Sequence, residues 1–343
     1  MSGWAGAGNV GDELLTRSMV HELRALDAVP VIASRDPRAT AALHGVESVP
    51  WGPKGRSSLG AVDGVCLGPG GILQDSSSLW SLPAHLAAPS LARRRGLPVA
   101  AIGVGAEPLR RRSSAWLLRR TLRGSTVVTR DPESSACLAA AGISATTGAD
   151  VVFGLEFVDA PPANEIVVSV GGSVRSGLVS PASRRIESAP TEEIASAVDR
   201  LAAALDATVV LTRFRGERDG VAAREIAELM AAPTEILGPD VDEHVRRVSG
   251  ARLVISSRYH PLVLAARSGV GAIAVSSQAK VQSLVAQLGS DQVRRVESWG
   301  DVATTALPEG GPGAVPGGLA AARHALSVLV AEAGAFRDQQ RGG

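Results

Sequence analysis

The stretch Leu253-Val254-Ile255-Ser256-Ser257-Arg258-Tyr259-His260-Pro261 joins a short apolar strand to the start of a helix. Leu253 to Ile255 reads as the strand, two small hydroxyl residues follow it, and Pro261 suits a helix's first turn. In an open α/β sheet, ligands bind beyond the carboxyl ends of strands, where helix N-termini offer free N–H groups to anions. Arg258 and His260 stand two positions apart at such an end. A guanidinium that grips an anion beside an imidazole that moves a proton points to a reaction on an anionic substrate.

Working outward, the same alternation of strand and helix recurs along the chain. Before this stretch come a strand at Ile166 to Val170 ending in Gly171-Gly172, a helix over Thr191 to Leu205, a strand at Thr208 to Thr212, and helices at Val221 to Met230 and Val241 to Val248. After it come a helix through Ala266, a strand at Ala272 to Val275 and a helix from Val281 to Leu288. The Gly/Pro-rich segment 308–318 reads as a loop and Leu319 to Ala331 as an amphipathic helix. Asp159-Ala160-Pro161-Pro162-Ala163-Asn164 is the best linker, and the pattern repeats on its other side. There, strands are predicted at Val29 to Ser34, Val62 to Leu67, Pro98 to Ile102 and Ser125 to Thr129, with helices at Pro37 to Leu43 and Ser113 to Leu122. Asp131 is placed to cap a further helix that Pro132 opens. Such alternation predicts an α/β fold with two Rossmann-like domains, each a parallel sheet flanked by helices. Residues 1–160 form the first, 165–305 the second and 319–335 a C-terminal helix, with the active site expected in the interdomain cleft.

Three glycine-rich ends mark the first half. Gly68-Pro69-Gly70-Gly71, followed closely by Asp75, and Gly103-Val104-Gly105 each trail an apolar strand, where glycine allows close backbone approach to a ligand or simply a tight turn. The third is the N-terminal run Gly3 to Gly11, which leads into Asp12-Glu13 and a helix with apolar Leu14, Leu15, Met19, Leu23 and Leu26. Asp12 is the expected cap. Almost nothing precedes these glycines, so either a first strand is missing or the sheet starts differently.

Composition narrows the function classes. Apolar residues are 45% of the chain but aromatics only 3%, so the cores are built from Ala, Val, Leu and Ile. With 35 basic against 34 acidic residues there is no bulk positive field for nucleic acid. Cys66 and Cys137 are too few for a disulfide framework and have no metal-type spacing, which fits a reducing cytoplasmic setting. No run of about 18 apolar residues predicts a membrane span.

Taken together, Gly8-Asn9-Val10-Gly11-Asp12-Glu13, Gly68-Pro69-Gly70-Gly71 with Asp75, Gly103-Val104-Gly105 and Ser257-Arg258-Tyr259-His260 resemble the polysaccharide pyruvyl transferase family. Arg130-Asp131 with Ser134, and Gly148-Ala149-Asp150, look like its middle motifs, so the likeness covers about residues 3 to 290. Pro69 interrupts a run of glycines, Tyr259 replaces a leucine, and Ala279 replaces a proline before Lys280. The resemblance implies a GT-B-like fold. It also implies transfer of pyruvate from phosphoenolpyruvate onto sugar hydroxyls, as a ketal on a cell-surface polysaccharide or its lipid-linked precursor. The family's essential histidine and donor-binding arginine map onto His260 and Arg258.

On that reading phosphoenolpyruvate is a substrate, and no cofactor or metal is required, because arginine forks can hold its phosphate and carboxylate. Arg213, Arg215 and Lys280 are further candidates for the donor. Histidine, with an ordinary pKa of about 6.5, suits protonation of the enol carbon or activation of a hydroxyl. Asn9, Asp12, Glu13, Gly70, Gly71, Asp75, Gly103 and Gly105 are candidates for the acceptor side or for shaping the cleft; for the first three an equal reading is structural, capping by Asp12 with a favourable charge–dipole term, and a structural role is favoured for Asp75. Nine arginines between Arg93 and Arg123 face a single acid, Glu107, a balance that fits either a solvated helix or peripheral contact with an anionic membrane carrying a lipid-linked glycan. Two other readings stay open: a nucleotide-sugar glycosyltransferase of the same fold, and a catalytically degenerate saccharide-binding homologue.

Overall fold

A computed structural model describes residues 1–52, 62–76, 78–156, 160–171 and 189–342. Asp159 of the expected linker and Gly172 lie outside them. The described residues fall into two compact units. The first comprises residues 1–7, 12–155 and 316–343, and the second residues 8–11 and 156–315. The helix from Leu319 therefore belongs to the first unit, and the short segment 8–11 to the second.

In the first unit the strands are β1 (Val31–Ser34), β2 (Glu47–Pro50), β3 (Val65–Leu67), β4 (Gly70–Leu73), β5 (Val99–Ala106), β6 (Thr126–Thr129) and β7 (Thr146–Thr147). All pairings are parallel. Ser2 bridges Ala33 on one side and Leu67 on the other, so residues 1–2 fill the slot between β1 and β3. Its N–H donates to the Cys66 carbonyl at 2.8 Å, and its own carbonyl accepts from Gly68 at 2.9 Å. The lateral order is β2, β1, residue 2, β3, β5, β6, β7. Numbering residue 2 as the first strand, this is the 3-2-1-4-5-6 order of a Rossmann sheet with one strand added.

Helices α1 (Val10–Ala25), α2 (Pro37–His44), α3 (Ser81–Arg94), α4 (Arg112–Leu122) and α5 (Pro132–Ala140) connect these strands. As expected, Asp131 caps α5, accepting the Ser134 N–H at 2.7 Å, with Pro132 in the first turn. The core against α3 and α4 is almost wholly aliphatic, with Leu67, Leu73, Ala101 and Val104 meeting Leu82, Leu86, Leu118 and Leu122. The final helix runs Leu319–Gly342, well past Ala331. By length and composition it is apolar enough to cross a membrane. Here it buries Leu319, Ala322, Ala325, Leu326 and Leu329 and packs on β5 and β6.

Two expectations change. The cap of α1 is Asn9, whose side-chain oxygen accepts the Gly11 N–H at 3.0 Å; Asp12 lies inside the first turn. Gly70, Gly71, Gly103 and Gly105 are within strands rather than beyond them.

In the second unit β8 (Glu165–Ser169), α6 (Thr191–Leu205), β9 (Thr208–Leu211), α7 (Glu217–Ala227), β10 (Thr234–Ile236), α8 (Val241–Gly250), β11 (Leu253–Ser256), α9 (Tyr259–Arg267), β12 (Ala272–Val275), α10 (Ala279–Leu288) and β13 (Val293–Val296) alternate. The parallel sheet has the order β10-β9-β8-β11-β12-β13, which is again 3-2-1-4-5-6. Val167, Val254, Ile255 and Ile273 are fully buried, as central parallel strands covered on both faces require.

Candidate active site

The order of the second sheet reverses between β8 and β11, and the two strands pair in register with Ser169 opposite Ser256. Ligands in open α/β sheets bind beyond the carboxyl ends at such a reversal. Gly171 and Arg258 each lie two residues past that pair. The guanidinium lies over the glycine: a Cβ on Gly171 would fall 2.9 Å from Arg258 Cζ. Ser257 Oγ accepts the Gly171 N–H at 2.8 Å and Ser256 Oγ accepts the Arg258 N–H at 2.9 Å, so hydroxyls fix the backbone on both strand ends.

Arg258 donates to Asp219, a fully buried carboxylate on α7. The other Asp219 oxygen accepts the Arg215 N–H at 2.8 Å. One acid therefore aims Arg258 and pins the loop that carries Arg213 and Arg215. Nothing in the sequence pattern marked Asp219; its only signal is an acid in the first turn of a helix two strands away. Arg258 Nε is buried and makes no hydrogen bond among the described residues.

His260 occupies the first turn of α9, two residues after Arg258 and two strand ends from Arg213. Its imidazole lies against Gly11: a Cβ there would fall 2.1 Å from His260 Nδ1. Tyr259 is buried and turns its ring edge-on to the imidazole at 5.4 Å and 83°. Tyr259 thus acts as a wall for His260, a role a leucine fills by bulk alone.

Arg213 follows β9. Its N–H donates to His244 Nε2 at 3.2 Å, while His244 Nδ1 lies 2.6 Å from the Asp240 carbonyl, which fixes a neutral tautomer. Burial lowers the His244 pKa, in keeping with that. The Arg213 guanidinium pairs with Glu217 at 2.6 Å and lies against Gly220. Lys280 stands in the first turn of α10, after β12. Read across β9, β8, β11 and β12, the carboxyl edge carries Arg213 and Arg215, Gly171, Arg258 with His260, and Lys280.

The first unit's candidates are placed differently. Glu13 is buried, accepts the Gly6 N–H at 2.8 Å and pairs with His44 Nε2 at 2.9 Å, so it ties the N-terminal loop to α2. Asp75 accepts the backbone N–H groups of Arg110 and Arg111 at 2.9 and 3.1 Å. Burial pushes its pKa up, but those bonds, one from Ser114 and the Arg111 charge outweigh it and leave the pKa lowered. Gly71 and Gly105 both face Arg130; a Cβ on Gly105 would lie 2.9 Å from its Cζ. Arg130 is buried with Asp131 at 3.2 Å and Asp150 at 3.9 Å. Gly103 abuts Val151 and Pro69. These glycines admit the protein's own side chains. Asp12 Oδ1 lies 3.9 Å from where a Gly70 Cβ would be, which sets those two beside each other.

Two units with parallel sheets in Rossmann order, and a cationic strand end at the reversal of the second, define a GT-B-like α/β protein. Similar solved structures are UDP-GlcNAc 2-epimerase from Methanocaldococcus jannaschii (TM-score 0.61, 10% identity, 96% of this chain and 98% of that one) and the enzyme from Neisseria meningitidis bound to UDP-GlcNAc (0.56, 11%, 97% and 99%). The S. aureus MnaA–UDP co-structure is also similar (0.55, 11%, 89% and 87%). At these identities the likeness is one of fold. No curated protein sequence matches the chain. The family model for polysaccharide pyruvyl transferase matches residues 9–278, and the chain belongs to that family.

Proposed function

We propose that the chain transfers pyruvate from phosphoenolpyruvate to two hydroxyls of one sugar, forming a cyclic ketal on a polysaccharide or its lipid-linked precursor. The observation that carries this reading is the Gly171–Arg258–Asp219 arrangement with His260 beside it, in a chain of this family. Arg258 is the donor's main anchor, its planar fork matched to carboxylate or phosphate oxygens. Arg213, Arg215 and Lys280, on neighbouring strand ends, supply further positive charge for an anionic donor.

His260 serves as the proton carrier. Protonation of the methylene carbon makes the adjoining carbon electrophilic, and a sugar hydroxyl adds there. The bond to the phosphate oxygen then breaks, and the second hydroxyl closes the ketal. Two C–O bonds form and one breaks; of the two hydroxyl protons, one balances the new methyl group and the other leaves with phosphate. No redox step is involved. Among the remaining candidates, Asn9 and Asp12 belong to the acceptor side, with Gly70 beside Asp12, while Glu13, Asp75, Gly71, Gly103 and Gly105 shape the backbone that holds it.

The setting we propose is cytoplasmic, with peripheral contact at the inner face of the membrane through α4. Its exposed stripe reads Arg112, Trp116, Arg119, Arg120 and Arg123, with the Arg120 guanidinium 5.6 Å from the Trp116 ring centroid. Incubation with phosphoenolpyruvate and candidate lipid-linked glycans, followed by mass analysis, tests the reading: a pyruvate ketal and released phosphate are expected together. Stabilisation by UDP-sugars but not by phosphoenolpyruvate in a thermal-shift measurement would instead favour a nucleotide-sugar enzyme.

A further inference from the structure

Outside these candidates, the first unit gathers an aromatic cluster at the carboxyl edge of its sheet. Trp51 directly follows β2, Arg35 directly follows β1, and Trp4 follows the Ser2 bridge, so the three stand past adjacent parallel chain segments. His85 reaches the same place from α3. The Trp4 and Trp51 rings meet edge to face at 5.6 Å, and the His85 ring lies 5.0 and 5.1 Å from them. Arg35 Cζ sits 4.0 Å over Trp4 and 5.1 Å from Trp51. Two of the chain's five tryptophans meet here, in a sequence with only 3% aromatics.

A packing role alone leaves two facts unexplained. His85 is 1% exposed, yet its Nδ1 has no hydrogen-bond partner among the described residues, and neither has the buried indole N–H of Trp51. Buried polar groups are nearly always paired, so two orphans within one ring cluster point to a ligand that pairs them. The Arg35 guanidinium, exposed beside them, has no ion pair among the described residues. The half-buried Trp4 and Trp51 rings, one N–H donor, one imidazole nitrogen and a guanidinium suit the two sides of a pyranose: C–H groups toward the rings and hydroxyls around the rim. Burial, and then the Arg35 charge, lowers the His85 pKa to about 4, so the imidazole is neutral at physiological pH and matched to uncharged hydroxyls.

We infer that Trp4, Trp51, His85 and Arg35 form a binding subsite for a pyranose ring of a glycan. As the acceptor's subsite it rests on the pyruvyl-transfer reading; as a saccharide site it does not. The order of the sheet supports the placement, since the cluster lies at the carboxyl ends of segments next to that sheet's own reversal point, between residue 2 and β3.

The test uses the full chain with cellobiose, lactose and N,N′-diacetylchitobiose as probes, followed by saturation-transfer NMR and tryptophan fluorescence. Pyranose C–H signals are expected for at least one probe. Trp4→Ala should weaken that binding by about tenfold, as loss of a ring contact predicts. Trp51→Phe keeps the ring, removes the N–H, and should weaken binding with the far-UV spectrum unchanged, so a folding failure of the first variant does not decide the matter. Absence of binding to every probe, or unaltered affinity in both folded variants, overturns the subsite. Saccharide binding without ketal formation overturns the transfer reading alone. Ketal formation with an unchanged acceptor KM in Trp51→Phe and Trp4→Ala overturns the subsite alone.

Discussion

Gly11 is the glycine that the His260 imidazole needs: a Cβ at position 11 would fall 2.1 Å from Nδ1 and 2.6 Å from Cγ. The two residues come from motifs about 250 positions apart, so one motif's glycine is explained by the other's histidine. Gly11 has ordinary helical backbone, and alanine is the better helix former there. Gly11→Ala is therefore expected to leave α1 intact and displace the imidazole. On the pyruvyl-transfer reading a shift of that kind should lower turnover by about 100-fold, with phosphoenolpyruvate affinity little changed. Steady-state assays of ketal formation check this, and wild-type turnover in the variant would refute it.

On the pyruvyl-transfer reading, Arg258 and Asp219 separate donor binding from stability. Arg258→Lys keeps the charge but loses the fork, and should raise the KM for phosphoenolpyruvate by about tenfold with a small change in melting temperature. Arg258→Ala takes the guanidinium away from the buried Asp219 carboxylate, which costs up to about 3–5 kcal/mol. The double variant Arg258→Ala, Asp219→Ala should regain much of that stability and none of the activity. Denaturant melts beside activity assays would show the pattern; recovery of activity in the double variant would remove Arg258 from the donor site.

How far the sequence carried the reading follows from which forces are local. Strands such as Ala272–Val275 and the helix Thr191–Leu205 fall where apolar runs and helical spacing placed them, because burial in a parallel sheet writes itself into sequence. Asp131 with Pro132 likewise announces its helix in four residues. The strand Glu47–Pro50 and helix Ser81–Arg94 went unread: the first is short and half-exposed, the second opens without a side-chain cap and contains Pro89. Asp219, and the partnership of Gly71 and Gly105 with Arg130, are long-range pairings that no local spacing reports. The Trp4–Trp51–His85 cluster is hidden for the same reason.

His85 gives the fold an acid-side dependence. Its folded-state pKa is lowered from 6.5 to about 4, chiefly by burial and then by the Arg35 charge. Between those values the unfolded chain binds the proton and the folded chain does not, so stability is complete above about pH 6.5 and falls as pH drops toward 4. The full effect is on the order of 3 kcal/mol for one such histidine. His244, lowered by its own burial, acts in the same sense. His85→Gln should flatten the decline of melting temperature from pH 7 to 4 relative to the wild-type chain. Parallel melting curves for the two proteins across that range would show that His85 does not carry it.

The exposed stripe of α4 predicts a membrane dependence distinct from catalysis. Arg112 and Arg120 are exposed on one face with Trp116, which is 56% exposed; Arg123, just past the helix end, is exposed too, and the helix carries no acidic residue. Each arginine near an anionic surface adds about 1 kcal/mol of attraction, and an indole beside them prefers the interface. The triple variant Arg112→Glu, Arg120→Glu, Arg123→Glu should therefore lose sedimentation with phosphatidylglycerol vesicles while remaining unbound to phosphatidylcholine ones, as the wild-type chain is. On the pyruvyl-transfer reading it should also lose activity on a lipid-linked acceptor in vesicles and keep it on a soluble one. Arg119 is left in place because its guanidinium donates to the Ala141 carbonyl at 3.3 Å and a change there would disturb α5. Equal vesicle binding by the variant and the wild-type chain would mean that the stripe is only a solvated helix face.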